Sequence, residues 1–417
     1  MQLQADYAVL VSPHLLQRFH AVRRRTVGLA KPLSEEDCCV QSMPDASPIK
    51  WHMAHTTWFF ETFILERFET GFKPFHEAFR VLFNSYYNGI GQKHPRAQRG
   101  LLTRPSTDEV VAYRHNVDTR VGKLLEALMR EGASGDSQTI AALVELGIQH
   151  EQQHQELILT DVKHLLAQNP LFPAYTPKGD GAAGRAATLA WQAIDAGVVQ
   201  IGFEGGGFCF DNELPRHRQF IESFEFASRL VTNGEYAAFV ADGGYRDPSL
   251  WLSEGWDWIR ANDLHCPIYW QREMQEAKET REGTRWHEFT LHGLQALDMQ
   301  APLLHISYFE ADAYARWSGA RLPTEFEWET AAARHPELPQ LHGVAWQWSS
   351  SSYAPYPGFV PAAGAIGEYN GKFMVNQYAL RGSSLATPEG HARLSYRNFF
   401  PAAARWQFTG IRLAKSL

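Results

Sequence analysis

The chain of 417 residues has few cysteines, no dense cluster of Lys and Arg, and no long apolar run. Its four cysteines (Cys38, Cys39, Cys209 and Cys266) show neither zinc-knuckle nor disulfide-framework spacing. No stretch of about 18 apolar residues occurs, and no basic segment followed by an apolar core opens the chain. We therefore expect a cytoplasmic protein with no membrane span.

The charge balance argues against nucleic acid as the main partner. The net charge is −7 and the pI is near 6.2, whereas nucleic-acid-binding domains present basic patches. The length exceeds the usual limit of about 250–300 residues for a single core, which predicts two domains. Composition leaves the oligomeric state open.

Residues 1–168 have the pattern of a helical bundle. Apolar residues recur at spacings of three and four in four stretches, which predicts helices near 12–30, 47–68, 106–129 and 137–168. Ser106 and Glu109 have the spacing of a capping box at the start of the third helix. The loop 83–106 is rich in Gly, Asn, Pro and Arg, and a loop of that length is typically functional or disordered.

The pattern changes after Asn169. Residues 169–192 read as a linker because they are rich in Pro and Gly. Residues 193–417 contain short strand-like segments, many turns and two clear helical stretches, 232–243 and 307–320. The predicted fold class is therefore a multi-domain protein with an α bundle followed by an irregular α+β domain.

Two histidines in the sequence HEQQHQE indicate a metal site. His150 and His154 are four positions apart, so they lie on one helix face about 6 Å apart at Cβ. A hydrogen-bonded core pair is the alternative interpretation. The segment WHMAHTTWFFE adds His55 on an aromatic stripe, with His52 as the rival third ligand. Three imidazoles predict a catalytic metal site but do not choose between zinc and iron.

Several longer motifs resemble one enzyme family. SPIKWHMAHTTWFFETF and HEQQHQELI resemble the DinB-like bundle of ergothioneine-type sulfoxide synthases. LVTNGEYAAFVADGGY and YRNFFPAAARWQFTGIRLA resemble their C-terminal domain, which is of the formylglycine-generating-enzyme, C-type-lectin-like type. The resemblance covers nearly the whole chain. It also extends to the sister branch of selenoneine synthases.

The resemblance implies a reaction and a set of residues. The family uses non-haem Fe(II) and O₂ to join a sulfur or selenium donor to C2 of the hercynine imidazole. Iron ligands His55, His150 and His154 follow by resemblance, as does Gln153 as a hydrogen-bonding partner of the hercynine ring. Tyr86 or Tyr87 corresponds to a proton donor.

The remaining implied contacts concern the two substrates. Arg96 and Arg99 would anchor the carboxylate of an amino-acid donor, since guanidinium binds carboxylate bidentately. Asn398 and Phe399 would lie near the trimethylammonium group, which aromatic faces attract. The donor is either cysteine or a selenosugar, because Leu385 and Gln347 depart from the pattern of cysteine-using relatives. The serines of QWSSSSY would offer hydroxyl groups to a sugar.

Other functions remain open from the residues. A zinc-dependent DinB-type hydrolase or thiol S-transferase would use the same three histidines. Formylglycine generation requires cysteines near the C-terminus, and no cysteine follows Cys266. A pure binding module would leave the histidines and the tyrosine loop without a role.

Overall fold

The computed structural model describes residues 10–131, 135–177, 186–272, 285–361, 367 and 370–417. Residues 1–9 of the predicted first domain and 178–185 of the predicted linker lie outside this set. Strand β1 begins at Trp191, inside the predicted linker 169–192. The boundaries 1–168, 169–192 and 193–417 stay a prediction.

The N-terminal part is helical, as its periodicity predicts. Its helices are α1 (Pro13–Ala30), α2 (Glu35–Cys39), α3 (Ile49–Phe60), α4 (Glu66–Phe68), α5 (Phe79–Leu82), α6 (Thr107–Glu131) and α7 (Gly135–Ala167). A π-helical turn, Glu61–Leu65, joins α3 to α4. The four long helices α1, α3, α6 and α7 pack as a bundle. Ser106 and Glu109 form the predicted capping box at α6, with the Glu109 amide donating to Ser106 Oγ at 3.2 Å.

Helix α3 is buried on every side, so it forms the centre of the bundle. An ionic network crosses the bundle beside it. Glu151 of α7 accepts from Arg23 of α1 and Arg114 of α6, each at 2.7 Å. Burial acts to raise the pKa of Glu151, but the two guanidinium groups outweigh it and hold the pKa at about 2. The network therefore fixes three helices against one another beside His150.

The C-terminal part consists of small sheets with helices packed on them. Its strands are β1 (Trp191–Ile194), β2 (Gly197–Ile201), β3 (His217–Ile221), β4 (Phe224–Ala227), β5 (Trp270–Arg272), β6 (Trp286–Thr290), β7 (Gly293–Ala296), β8 (Ala345–Ser352), β9 (Tyr378–Ser383), β10 (Asn398–Phe400), β11 (Thr409–Gly410) and β12 (Ala414–Ser416). They form sheets in the orders β1-β4-β12, β10-β9-β8-β11, β2-β3 and β5-β6-β7. Strand β11 is parallel to β8, and the other pairs are antiparallel.

Within the described residues, the C-terminal part has two α-helices more than the sequence predicts. Helices α8 (Asn233–Ala241) and α10 (Tyr308–Trp317) match the two predicted stretches, whereas α9 (Ser253–Ala261) and α11 (Glu325–Arg334) were missed. Glutamates at three alternate positions obscure the apolar side of α11 in the sequence. All three are nevertheless buried, because each pairs with an arginine. Glu325 and Glu329 pair with the distant Arg397 and Arg381, and Glu327 pairs with the nearby Arg321.

One side of α7 docks the bundle onto the C-terminal part. We call Gln149, Gln152, Gln153 and Glu156 the docking face; their spacing is that of one helix side. Glu156 is half-buried and accepts hydrogen bonds from Trp346 Nε1 at 2.6 Å, Ser384 Oγ at 2.6 Å and Thr387 Oγ1 at 2.8 Å. Further along α7, Lys163 Nζ lies 2.7 Å from His305 Nε2. Among the described residues, no helix is both long and apolar enough to cross a membrane.

A glycine sets the distance between α3 and α7. A Cβ atom at Gly147 would lie 2.6 Å from Cε1 of Phe60, far inside van der Waals contact. The two helices therefore approach more closely here than any side chain would allow. This close approach brings His55 of α3 next to His150 of α7.

We predict that Gly147→Ala destabilises the protein. Alanine favours a helix by about 1 kcal/mol, but overpacking against Phe60 costs about 1–3 kcal/mol, so the clash dominates. Gly122→Ala in α6 is the matched control, because its Cβ would lie 3.6 Å from the His20 ring. Denaturant unfolding should show a loss for Gly147→Ala and no loss for Gly122→Ala; equal stability of both variants would contradict the packing argument.

Candidate metal centre

Three histidines converge between α3 and α7. One ring nitrogen of each of His55, His150 and His154 lies within 4.8 Å of the others, and all three residues are buried. The ring centroids are 5.0 Å apart for His55 and His150, 4.8 Å for His55 and His154, and 4.6 Å for His150 and His154. The spacing of a single metal site is therefore present before any ion binds.

Burial keeps these imidazoles neutral. Desolvation is the largest cause lowering the pKa of all three histidines, and mutual repulsion adds to it at His55 and His154. The pKa of His150 falls to about 3. A metal ion needs the neutral imidazole, because only a deprotonated ring nitrogen has a lone pair to give.

The surroundings of His55 direct one nitrogen into the cluster. Its Nδ1 donates to the carbonyl of Phe83 at 2.7 Å, which leaves the proton off Nε2. Within the described structure, His55 Nε2 is buried without a hydrogen-bond partner. Trp51 stacks on one face of the ring at 4.6 Å and Trp58 on the other at 5.6 Å, so the ring orientation is fixed.

The rival ligand His52 lies behind the cluster and supports it. Its Nε2 donates to Asp161 Oδ2 at 3.0 Å, and its Nδ1 lies 2.8 Å from Nδ1 of His154. Because Asp161 accepts from Nε2, His52 uses Nδ1 as the acceptor for the Nδ1–H of the neutral His154 ring. His154 is then protonated at Nδ1 and directs a bare Nε2 away from His52, as outer partners of metal-bound histidines commonly do.

The donor set fits a metal ion. A buried, orphaned Nε2 on His55 and a tautomer-fixed Nε2 on His154 are the arrangement that a ligated ion requires. Three nitrogen ligands leave coordination positions for small molecules, as in catalytic sites. Imidazole binds both zinc and iron, so the ligands alone do not choose the metal.

The two adjacent tyrosines contact different parts of the molecule. Tyr87 is buried against Trp58 and Phe63, at 5.5 and 5.1 Å between ring centroids. Trp58 also contacts His55, so Tyr87 lies one ring away from the histidines. Tyr86 stacks on Tyr87 at 4.6 Å and turns its other side toward the C-terminal part of the chain.

A row of aromatic rings continues from Tyr86 across the domain boundary. Phe373 contacts Tyr86 at 5.2 Å, Phe399 stacks on Phe373 at 5.7 Å, and Tyr353 stacks on Phe399 at 4.1 Å. Lys372 reaches over the Tyr86 ring at 4.5 Å. The predicted residue Phe399 is therefore connected to the predicted tyrosine loop through Phe373, which sequence reasoning missed.

Gln153 and Asn398 are also connected through one short segment. Gln153 Nε2 donates to the hydroxyl of Tyr396 at 2.6 Å, and Asn398 follows two residues later at the start of β10. The Asn398 side-chain oxygen accepts from the Phe399 amide at 2.9 Å. The predicted residues Asn398 and Phe399 are therefore linked to the docking face through Tyr396.

The two predicted arginines have different surroundings. Arg99 is buried over the Trp51 ring at 3.3 Å, and its guanidinium donates to Ser47 Oγ at 2.8 Å and Ser85 Oγ at 3.0 Å. No carboxylate of the described residues pairs with it, and burial lowers its pKa to about 9. Arg96 is exposed and donates to the carbonyl of Asp45. The two groups therefore do not share one partner.

The serines of QWSSSSY are bonded within the C-terminal part. Ser349 Oγ donates to the Ala379 carbonyl at 2.6 Å, and Ser350 Oγ donates to the Pro323 carbonyl at 3.3 Å. Gln347 is buried, and its side-chain oxygen accepts from Trp328 Nε1 at 2.7 Å. These side chains serve the packing of β8, a role that the local sequence does not reveal.

Comparison with known proteins defines the class first. Residues 18–158 match the DinB superfamily, and residues 185–337 match the sulfatase-modifying factor enzyme 1-like domain. The second match agrees with a 31% identity over 135 residues to the formylglycine-generating enzyme of Mycobacterium tuberculosis, which covers 30% of this chain and 45% of that protein. The chain therefore combines a DinB bundle with a domain of the formylglycine-generating-enzyme type.

Full-length relatives then identify the family. Hercynine oxygenase of Mycobacterium tuberculosis is 30% identical over 437 residues, covering 94% of this chain and 96% of that protein. Hercynine oxygenase of Mycolicibacterium thermoresistibile is 28% identical over 453 residues, covering 96% and 95%. The chain belongs to the hercynine oxygenase family, of the ergothioneine-biosynthesis sulfoxide-synthase type, and is an oxidative enzyme.

We predict that His52 tunes metal affinity without being a ligand. His52→Phe keeps a ring but removes the acceptor for His154, so Fe(II) affinity should fall by about 10–100-fold with the stoichiometry unchanged.

Stoichiometric Fe(II) binding should be abolished by each of the changes His55→Ala, His150→Ala and His154→Ala. His20→Phe, a change at a half-buried histidine of α1, should leave it unchanged. Anaerobic Fe(II) titration provides the measurement. Full iron retention in His55→Ala would refute the ligand set.

Proposed function

We propose that this chain is an O₂-dependent non-haem Fe(II) enzyme that forms a C–S or C–Se bond at C2 of the hercynine imidazole. The observation that carries the proposal is the group of three buried, neutral histidines in a chain of the hercynine oxygenase family. One hydrogen atom is lost from hercynine C2 and one from the donor. O₂ supplies one oxygen to the product and one to water, so atoms and electrons balance for a sulfoxide or selenoxide product.

His55, His150 and His154 would hold the iron. When bound, iron supplies a site for the donor sulfur or selenium and for the reduction of O₂. The protein residues would position the reactants. Positioning lowers the barrier because the entropic cost of bringing the reactants together is met by binding. His52 and Asp161 keep a bare nitrogen of His154 directed at the ion.

The trimethylammonium group of hercynine would lie against the aromatic row. A quaternary ammonium has no N–H to donate and is attracted by aromatic faces. Phe399, Phe373 and Tyr353 offer such faces next to segment 396–399. Gln153, on the bundle side, would bind the imidazole at the other end of the substrate, so hercynine would span the boundary between the two parts of the chain.

Tyr87 would act as the proton donor during oxidation. A phenol is protonated near pH 7 and can give a proton to an oxygen being reduced. Its contact with Trp58, which flanks His55, favours Tyr87 over Tyr86. Tyr86 belongs to the aromatic row and would contribute packing against Phe373.

The central test is turnover of the anaerobically reconstituted enzyme. Fe(II)-loaded protein should consume O₂ only when hercynine and a donor are both present, and the product mass should equal hercynine plus donor plus oxygen minus two hydrogens. Cysteine and a selenosugar are offered separately and in competition, which identifies the donor. Zinc-loaded protein serves as the control. Turnover by zinc-loaded protein without O₂ would instead support the DinB-type hydrolase or S-transferase.

We predict that Arg99, and not Arg96, governs affinity for a carboxylate-bearing donor. Charge-assisted hydrogen bonds contribute about 1.5–3 kcal/mol, so Arg99→Met should raise the KM for cysteine at least about tenfold. Arg96→Met is the matched control, because its guanidinium is exposed and donates to a backbone carbonyl. Unchanged cysteine KM in Arg99→Met, with Fe(II) affinity retained, would remove Arg99 from the donor site and favour the neutral selenosugar.

A further inference from the structure

A series of hydrogen-bonded side chains connects the Arg18–Glu145 ion pair to Gln153. Glu145, Gln149 and Gln153 belong to α7, whereas His391 and Tyr396 come from the segment before β10. All of these except Gln153 are buried. The hydrogen bonds therefore run from Gln149 of the bundle through the C-terminal part and back to Gln153 of the bundle.

In the first half of this series, the donor and the acceptor of each hydrogen bond are fixed. Arg18 binds the Glu145 carboxylate through two hydrogen bonds of 2.7 and 2.8 Å. A carboxylate only accepts, so Gln149 must donate its Nε2 to Glu145, at 2.8 Å. The Gln149 oxygen consequently faces His391, 2.7 Å from Nδ1, and Nδ1 must carry the proton.

The second half follows from the first. Burial, with Arg393 adding, lowers the pKa of His391 to about 3, so its ring is neutral and its Nε2 is bare. That nitrogen lies 3.2 Å from the Tyr396 hydroxyl and accepts a hydrogen bond from its single O–H. The phenolic oxygen can then only accept from Gln153, whose Nε2 lies 2.6 Å away. The amide orientation of Gln153 is thus decided by residues on the other part of the chain.

We propose that His391 and Tyr396 are positioning residues that turn the carboxamide oxygen of Gln153 toward the substrate, so that the enzyme selects hercynine with an N–H at that ring nitrogen. Gln153 lies three positions after His150 and directly before His154, beside the histidine face of α7. With its nitrogen committed to Tyr396, its oxygen end faces away from Tyr396 and accepts. The inference rests on the proposed function, because it assigns a ring nitrogen of hercynine to Gln153.

Tyr396→Phe tests the relay with little change in packing. The ring keeps its contacts with Trp346 and Phe210, and only the hydroxyl is lost. The hercynine KM should rise about tenfold, the fold-change that corresponds to a net hydrogen bond of about 0.5–1.5 kcal/mol at its upper end. The donor KM and Fe(II) affinity should stay within about twofold of the wild type. Tyr245→Phe is the control, since it removes another buried hydroxyl, bonded to Glu310 at 2.6 Å.

Ring-methylated hercynines provide a readout that a merely structural role would not change. Two isomers exist, each with a methyl group on one ring nitrogen, and they are used as competitive inhibitors. Wild-type enzyme should bind the isomer that lacks the N–H facing Gln153 at least about tenfold more weakly than the other. That ratio should fall toward one in Tyr396→Phe and in His391→Leu. His391→Gln should restore it, because glutamine also offers one donor and one acceptor.

The outcomes separate this inference from the proposed function. If the wild type neither binds nor converts hercynine, the proposed function fails and the inference fails with it. If the wild type converts hercynine but Tyr396→Phe keeps both the hercynine KM and the isomer ratio, the relay is refuted and the function stands. Equal losses in hercynine KM, donor KM and iron affinity would also refute it, because they would mark Tyr396 as structural.

Discussion

Helix α7 packs against helix α3 and against the C-terminal part at once, and the site depends on both contacts. One side carries His150 and His154 into the bundle, where Gly147 permits close contact with α3. The adjacent side is the docking face, which bonds to the C-terminal part through polar side chains. Because a helix is rigid over this length, the histidine cluster and the second domain are held in a fixed relation. In the proposed function, this relation would align a substrate bound between them with the histidine cluster.

Burial sets the protonation state of the three histidines at this centre. The three histidines lose the solvent that would favour their protonated forms, so they are neutral before a metal arrives. Hydrogen bonds to Phe83 and His52 then determine which nitrogen of His55 and His154 is bare. A similar logic applies at Gln153, where a series of donors and acceptors determines the orientation of its side-chain amide. In both places hydrogen-bond geometry determines which atom carries the proton.

Local patterns predicted the helices and part of the centre. The i, i+4 spacing identifies His150 and His154, and helical periodicity gave the four long helices of the bundle. The choice of His55 over His52 needed the family resemblance, because both lie on the same helix. His52 pairs with Asp161, 109 positions away, and His391 pairs with Gln149, 242 positions away. Contacts of that separation leave no periodic signal, so the partners of His154 and Gln153 became visible only in the fold.

The central claim is that His55, His150 and His154 bind one iron while His52 stays outside its coordination sphere. Iron K-edge X-ray absorption on the anaerobic Fe(II) protein counts imidazole ligands directly. We expect three imidazoles in the wild type, three in His52→Phe and no stoichiometric iron in His154→Ala. Four imidazoles in the wild type, falling to three in His52→Phe, would contradict it.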